Sequence, residues 1–440
     1  MTLIKLRQIT RILALILSLK GACALSSSPA KLPSRRDCLQ LTSFISAVAL
    51  TNDQSRSANA YPIQQSDMQN VDTKLPYLAT EYFEPAKTIP SAGRSSLAFT
   101  PPFQNRATYQ YDVGRNTWAF EQLLTFANVT ATIRCHVVQL EMTGGLWVHS
   151  PQWPTAEFCK QLESLGRPIE HVVLPCNALE HKAPMKAFLK RYPKASVWIS
   201  PGQYGPFGSC GLSKRESINM GYKVDGILGD PTSEAPVWAS EFDIATFYVS
   251  IPKNAGPVSE VAFCHKPTKT LIATDAVVFI PDEKSVNKEI FTTYFQDPLV
   301  TEDETFWTRT ALQAVFLPLR TDQNGAYPGF DALQNRLVRA PILRAFVDAR
   351  APDLVQKWTD QIATWEFDRI LTSHFASPIV ASPRDFSDAF NYLRGDRGSS
   401  RLPPIACQDW QLLQGLNDVI ADYNLGAPAI YNYQTGCKVD

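Results

Sequence analysis

Short apolar runs bounded by proline, glycine or charged residues divide the middle of the chain into strands and helices. The run Ile169–Leu174 is long enough for a buried strand, and the proline that follows ends it. Apolar residues in Ile133–Leu140 and Leu146–His149 flank a glycine-containing turn, which predicts a hairpin. Ser382 followed by Pro383 is typical of a helix start, because serine caps the first turn and proline fits its first position.

The predicted elements alternate between strands and helices. Two clusters of strands, each followed by helices, favour an α/β sandwich in which two sheets pack face to face with helices outside. The predicted strands are 133–140, 146–149, 169–174, 195–200, 242–249, 260–264, 270–280 and 368–372. The predicted helices are 155–165, 185–192, 305–316, 330–340, 352–365, 382–393 and, more weakly, 410–423.

Composition is that of a globular protein with many loops. The 440 residues are 45% hydrophobic and include 32 prolines. The first sixty residues hold eight of the 42 Lys and Arg but two of the 42 Asp and Glu, so residues 61–440 carry a net charge of about −6. A mildly acidic body without a basic patch argues against nucleic acid as a partner.

The first sixty residues have the pattern of targeting signals. A basic start, the apolar run Ile12–Leu19 and an A-x-A site predict a signal peptide over residues 1–24. The Ser-rich, acid-free segment after it resembles a plastid transit peptide, and Arg35–Arg36 before a second apolar run resembles a twin-arginine signal. Residues 25–60 therefore predict a plastid location, the thylakoid lumen first and the stroma as the alternative.

The remaining segments complete the predicted organisation. Residues 61–108 are rich in Pro, Ser, Thr and Gln and predict an extended arm before the domain at 109–395, and 396–440 predict a C-terminal tail. No run after the leader is long and apolar enough to predict a transmembrane span. Seven cysteines remain after the leader without a C-x-x-C pair, so the pattern neither assigns disulfides nor supports a structural zinc site.

Four residues with metal-binding side chains follow or interrupt predicted strands. Glu180 and His181 come after the strand that ends at Leu174, Asp275 interrupts an apolar run, and His374 follows the strand 368–372. A carboxylate in an apolar run needs a partner, because burying its charge alone is costly. A metal ion would be such a partner, and a salt bridge or a backbone cap would be another. Glu180 and His181 would also fit an ordinary surface loop.

These residues lie within a family resemblance. Val173–Pro175 with Glu180–Lys182, Val197–Gln203 and Thr270–Asp275 look like domain-of-unknown-function family 4336, which occurs in photosynthetic lineages. More broadly, the order of the motifs resembles the metallo-β-lactamase superfamily of metal-dependent hydrolases. The resemblance covers roughly residues 109–395 and implies an αββα sandwich with a degenerate metal motif.

The resemblance also implies which metal position survives. The superfamily motif H-x-H-x-D-H reads Cys176-x-Ala178-x-Glu180-His181 here, and the turn Asn254–Pro257 lacks the next histidine, so one metal position has lost its ligands. Glu180, His181, Asp275 and His374 match the other position. That set implies one Zn²⁺ or Fe²⁺ ion, or no ion if the remaining position no longer binds metal.

The implied function is hydrolysis of a small ester, thioester or phosphodiester, with Glu180 as a metal ligand or general base. The alternative is a non-catalytic binding or assembly factor of the thylakoid lumen on the same fold. The partner would accordingly be a small-molecule substrate or a lumenal protein. His149, His265 and Cys176 are candidates for positions around the ligands, although packed side chains are the simpler interpretation for each.

Overall fold

The computed structural model describes residues 108–394, apart from 127–128, 206, 217, 252–255, 283–285 and 287–303, together with 405–422 and 429. The predicted signal peptide, transit segment and nearly all of the predicted arm lie outside the described residues. None of the described helices has the length and hydropathy of a membrane-spanning segment.

The first sheet contains seven strands in chain order. Its first four strands pair antiparallel, and the last four, from β4 onward, pair parallel. The helices α1 (Ala156–Glu163), α2 (Leu179–Lys182) and α3 (Met185–Arg191) are inserted between its strands. The strands are β1 (Tyr109–Asp112), β2 (Thr117–Phe126), β3 (Val129–Gln139), β4 (Leu146–His149), β5 (Ile169–Leu174), β6 (Ser196–Ile199) and β7 (Gly226–Ile227).

The second sheet has five strands in the order β14-β13-β10-β9-β8. Its central pair, β10 and β13, is parallel, and the other pairs are antiparallel. A short 3₁₀ helix, Val237–Glu241, precedes it. The strands are β8 (Phe242–Ile251), β9 (Gly256–His265), β10 (Thr270–Ile272), β13 (Arg369–Leu371) and β14 (Ile379–Val380), while β11 (Val278–Phe279) and β12 (Leu337–Val338) form a separate pair.

The remaining helices follow the strands of the second half. The helix α4 runs over Phe306–Ala314, α5 over Pro328–Asp331 and α6 over Pro341–Leu343, which continues as a π-helical segment, Arg344–Asp348. The helix α7 (Pro352–Ile362) precedes β13, and α8 (Pro383–Asp388) with a 3₁₀ turn at Asn391–Arg394 follows β14. The helix α9 is Cys407–Asp422.

Three apolar layers make the molecule a sandwich. Trp147 and Val173 of the first sheet pack with Phe263 and Leu371 of the second, and these residues form the layer between the sheets. The outer face of the first sheet packs on α1 and α3, and that of the second sheet on α7 and α8. Helices therefore cover both outer faces, which confirms the predicted αββα architecture.

Two predicted elements are wrong in detail. The predicted strand 270–280 breaks after Ile272, because the N–H groups of Thr274, Asp275 and Ala276 turn toward one carboxylate oxygen instead of a neighbouring strand. Asp275 therefore lies in a turn at the end of β10. The predicted helix 330–340 stops after α5, because Asn335 adopts a φ of 54° and the chain then pairs as β12.

The segment predicted as a tail contributes a packed helix. Trp410 and Leu413 of α9 are buried against α4 and α5, and Asp409 accepts two hydrogen bonds from Arg320 at 2.7 and 2.8 Å. Cys407, the first residue of this helix, is disulfide-bonded.

Candidate metal centre

The four candidate ligands meet at one edge of the sandwich. Glu180 and His181 lie on α2, directly after β5 of the first sheet. Asp275 follows β10 and His374 follows β13, and these two strands are parallel neighbours in the second sheet. Because the carboxyl ends of parallel strands lie at the same edge, the fold brings distant parts of the sequence together there. A backbone bridge between Cys176 and Glu260 joins the two sheets at this edge.

Asp275 lies between the two imidazoles. Its Oδ1 is 3.8 Å from Nε2 of His181 and 3.3 Å from Nε2 of His374. The two rings meet edge to face, with centroids 5.5 Å apart. Among the described residues the partners of this carboxylate are therefore histidines, and no lysine or arginine pairs with it or with Glu180.

The charges of the cluster are interdependent. Burial would raise the pKa of Asp275, but the nearby imidazoles of His181 and His374 hold that pKa well below its ordinary value. Burial would lower the pKa of His374, but Asp275 and, more weakly, Glu180 raise it above its ordinary value. The cluster thus stabilises positive charge beside Asp275, which an imidazolium or a metal ion supplies.

Hydrogen bonds at the Nδ1 atoms orient the imidazoles of His181 and His374. Nδ1 of His374 donates to the carbonyl of Thr132 on β3 at 2.7 Å. Nδ1 of His181 shares a hydrogen bond of 2.5 Å with Oγ of Ser150, the residue after β4. Ser150 and Phe375, which flank these contacts, have positive φ values of 53° and 59°, a conformation that is uncommon outside glycine. Both histidines consequently present Nε2 to Asp275.

Glu260 positions the turn that carries Asp275. Its Oε1 accepts hydrogen bonds from the N–H groups of Thr274, Asp275 and Ala276 at 2.9–3.0 Å. Burial, together with the nearby charge of Asp275, raises the pKa of Glu260 to about 7. Arg339 donates to the carbonyl of Ala276 and so holds the turn from its other side.

The side chains fit a divalent metal ion. Glu180, His181 and His374 offer ligand atoms within 4.8 Å of one another, and so do Cys176, His181 and Asp275. Nε2 of the fully buried His181 has no hydrogen-bond partner among the described residues. An unpaired buried nitrogen is costly, and imidazole with carboxylate donors suits Zn²⁺ and Fe²⁺.

The other candidates divide into two groups. His149 is fully buried at the end of β4 beside His181 and Asp275, and Cys176 is in one of the two ligand groups. His265 is the last residue of β9, beyond Glu260 in the middle of that strand, and Glu241 and Thr268 satisfy its two ring nitrogens at 3.3 and 2.8 Å. His265 therefore has the contacts of a packed side chain, and β9, which runs antiparallel to β10, carries it away from the cluster.

Sequence reasoning missed the residues that support the ligands. Glu260 is a carboxylate within an apolar strand, which is the same signal that singled out Asp275, so it could have been found. Ser150 and Thr132 carry no such signal. Lys182, next to His181, is also buried; its amine donates to the carbonyls of Tyr204 and Gly208, and burial lowers its pKa to about 8.

These features define the class as an αββα sandwich with a His/Asp/Glu cluster at one sheet edge. The model of the family described as Domain of unknown function (DUF4336) matches residues 115–318 and 316–392. The chain belongs to this family, which confirms the resemblance seen in its motifs. No curated protein matches the chain.

Solved structures similar to the chain include enzymes and a flavo di-iron protein. A metallo-β-lactamase from Hirschia baltica is 9% identical, with a TM-score of 0.33 over 65% of this chain and 97% of that chain. One from Pontibacter korlensis is 11% identical, with a TM-score of 0.32 over 66% and 100%. A mutant flavo di-iron protein from Thermotoga maritima is 10% identical, with a TM-score of 0.34 over 66% and 63%.

Proposed function

We propose that the protein is a metal-dependent hydrolase with one Zn²⁺ or Fe²⁺ ion held by His181, Asp275 and His374, together with Glu180. One observation carries the proposal: Nε2 of His181 is buried without a hydrogen-bond partner among the described residues and faces the carboxylate of Asp275. A protein that used this cluster only for packing would leave that nitrogen unpaired at a cost of about 1–3 kcal/mol.

The chain's own residues supply orientation and proton transfer. The ion, when bound, supplies a Lewis acid that lowers the pKa of water toward neutrality. Ser150 and Thr132 hold the imidazoles so that each presents Nε2 to the site. Glu180 is partly exposed beside both rings, so its carboxylate is placed either to bind the ion or to accept a proton from an attacking water. The substrate class that fits is a small ester, thioester or phosphodiester.

Elemental analysis of the purified full-length protein tests the proposal. Wild type and a His171→Ala control, which alters a histidine outside the cluster, should each contain about one zinc or iron ion per chain. The His181→Ala, His374→Ala double variant should contain none. Metal-free wild type, with all three proteins equally folded by circular dichroism, would overturn the hydrolase proposal and leave the non-catalytic binding or assembly factor.

Activity then distinguishes the roles of Glu180. Chromogenic esters, a thioester and a phosphodiester are the substrates to screen with the metal-loaded protein. In Glu180→Gln, kcat should fall by about 10²–10⁴-fold with the metal content unchanged if the carboxylate is the general base. A parallel loss of metal would instead identify Glu180 as a ligand.

We also propose a plastid location, with the thylakoid lumen preferred to the stroma. The order of signals in residues 1–60 supports it. A fluorescent protein fused behind residues 1–60 should accumulate in the plastid of an alga with a multi-membrane plastid. Replacing Arg35 and Arg36 by lysine should leave the fusion in the stroma if the twin-arginine signal operates. Fluorescence confined to the secretory pathway would contradict the proposal.

A further inference from the structure

Cys176 lies inside the candidate metal centre. It follows β5 by two residues and is 3% exposed. Its Sγ, a ring nitrogen of His181 and a carboxylate oxygen of Asp275 all lie within 4.8 Å of one another. Ligands of a tetrahedral ion with bonds of 2.0–2.3 Å are about 3.3–3.8 Å apart, so small side-chain movements would bring these three atoms onto one ion.

The surroundings of this sulfur differ from those of other buried thiols in the described chain. The thiols of Cys135, Cys210 and Cys264 each donate to a backbone carbonyl. No described residue accepts a proton from the Cys176 thiol. A metal-bound thiolate carries no proton and needs no such acceptor.

Charge and an unpaired nitrogen point to a cation at the same place. The carboxylates of Asp275, Glu260 and Glu180 all act electrostatically on the sulfur of Cys176. Several negative groups around one buried point are stable only with compensating positive charge. His181, which is fully buried, directs an Nε2 without a described hydrogen-bond partner into this group. This nitrogen is an observation independent of the cysteine.

We propose that Cys176 is a thiolate ligand of the metal ion, so that the centre combines sulfur, imidazole and carboxylate donors. The proposal rests on the proposed function, because it concerns the same ion. Binding replaces the sulfur–hydrogen bond by a sulfur–metal bond, and the proton leaves to the solvent without any redox change. A thiolate favours Zn²⁺, Fe²⁺ or Co²⁺ over Mg²⁺ and Ca²⁺. Glu180 is then one of five side chains that offer donors. The other four are enough for a tetrahedral ion, which leaves Glu180 available for proton transfer.

Cobalt titration of the full-length protein tests the proposal. The protein is stripped with a chelator and titrated with Co²⁺ alone, for wild type, Cys176→Ser and the control Cys264→Ser, whose thiol contacts the carbonyl of Glu366 instead. Visible ligand-field bands report binding in every case. A near-ultraviolet sulfur-to-cobalt charge-transfer band reports a cobalt–thiolate bond, and weakly buffered solution with a pH indicator reports the released proton.

The outcomes separate this proposal from the proposed function. Wild type and Cys264→Ser should show both sets of bands, whereas Cys176→Ser should keep the ligand-field bands, lose the charge-transfer band and bind Co²⁺ at least about tenfold more weakly. Ligand-field bands without a charge-transfer band in wild type would overturn the thiolate and leave the hydrolase proposal intact, even if the serine variant did not fold. A charge-transfer band that persists in Cys176→Ser would also overturn it. Absence of any cobalt binding would overturn both.

Discussion

Ser150 shows how one hydroxyl decides which nitrogen a histidine offers. Its Oγ lies 2.5 Å from Nδ1 of His181, so Nε2 is the ring nitrogen that faces Asp275. Ser150 itself has a φ of 53°, so the backbone accepts some strain to place this hydroxyl. The contact is the kind of outer-sphere support that fixes the tautomer and orientation of a metal-binding imidazole.

Removal of this hydroxyl should weaken metal binding more than folding. In Ser150→Ala we expect metal affinity to fall about 10–100-fold, because the His181 ring loses its fixed tautomer. Competition with a chromogenic chelator measures the change. Ser164→Ala is the control, since that exposed hydroxyl contacts only the carbonyl of Gln161. Equal affinity in all three proteins would show that the hydrogen bond does not orient a ligand.

At the scale of elements, a buried ion pair fixes the π-helical segment behind the Asp275 turn. Arg339 donates two hydrogen bonds to Asp348 at 3.0 and 3.1 Å, with side-chain exposures of 4% and 0%. The same guanidinium donates to the carbonyl of Ala276. The pair therefore connects the second sheet's helical cover to the turn that holds the candidate ligand.

Breaking this pair should be far more costly than breaking a surface pair. Asp348→Asn should lower the free energy of unfolding by about 3–5 kcal/mol, because it leaves the buried Arg339 charge without compensation. Asp360→Asn removes the carboxylate of the exposed pair with Arg394 and should change it by at most about 1 kcal/mol. Urea unfolding compares the two variants, and similar losses would refute the distinction drawn from burial.

A second contact between secondary-structure elements links the end of β9 to the 3₁₀ helix that precedes β8. Glu241 accepts hydrogen bonds from the N–H groups of Glu141 and Met142 and approaches Nε2 of His265 at 3.3 Å. Burial would raise the pKa of Glu241, but these hydrogen bonds hold it below its ordinary value. Burial lowers the pKa of His265, although Glu241 partly opposes the shift.

Both shifts make the fold less stable in acid. The unfolded chain protonates His265 near pH 6.5 while the folded chain does not, so stability should fall as pH drops below this value, by at most about 1.4 kcal/mol per pH unit for one proton. The contribution of Glu241 to stability is lost at lower pH, as the pH falls through the pKa that its carboxyl group has in the folded chain. His265→Gln should flatten the pH dependence of unfolding between about pH 7 and 5. An unchanged slope would contradict the assignment.

At the scale of the whole molecule, the C-terminal helix is part of the core. Leu413 of α9 is fully buried with Trp307 and Phe330, which belong to elements about 100 residues earlier in the chain. The αββα domain therefore depends on a segment that follows it in sequence.

This packing predicts that truncation of a single leucine in α9 has a large effect on stability. Leu413→Ala should destabilise the protein by about 2–5 kcal/mol through lost burial and a cavity. Leu354→Ala, also on a helix but 48% exposed, should change stability by about 0.5 kcal/mol or less. Chemical denaturation of the two variants tests the contrast. Equal stability would mean that α9 does not contribute to the folded core.

Apolar periodicity along the chain predicts most of the strands of the sandwich. Strands such as Ile169–Leu174 and Leu146–His149 have the predicted bounds, because most of their side chains are buried. The strand β2 was not predicted, because the buried Glu121 and Gln122 interrupt its apolar run. Glu121 is stabilised there by an ion pair with Arg134 on the adjacent strand and by a hydrogen bond from Tyr111, contacts that no local pattern contains.

The sequence by itself determined the family through its motifs and the αββα architecture through its strand pattern, and its resemblance to known motifs singled out four side chains as candidate metal ligands. Only the tertiary structure decided which other side chains surround these four. It brought Cys176, Ser150 and Glu260 to the cluster and carried His265 to the far end of β9. The physical reason is that strand direction and pairing determine which ends meet, and these depend on contacts between residues about 100 positions apart or more.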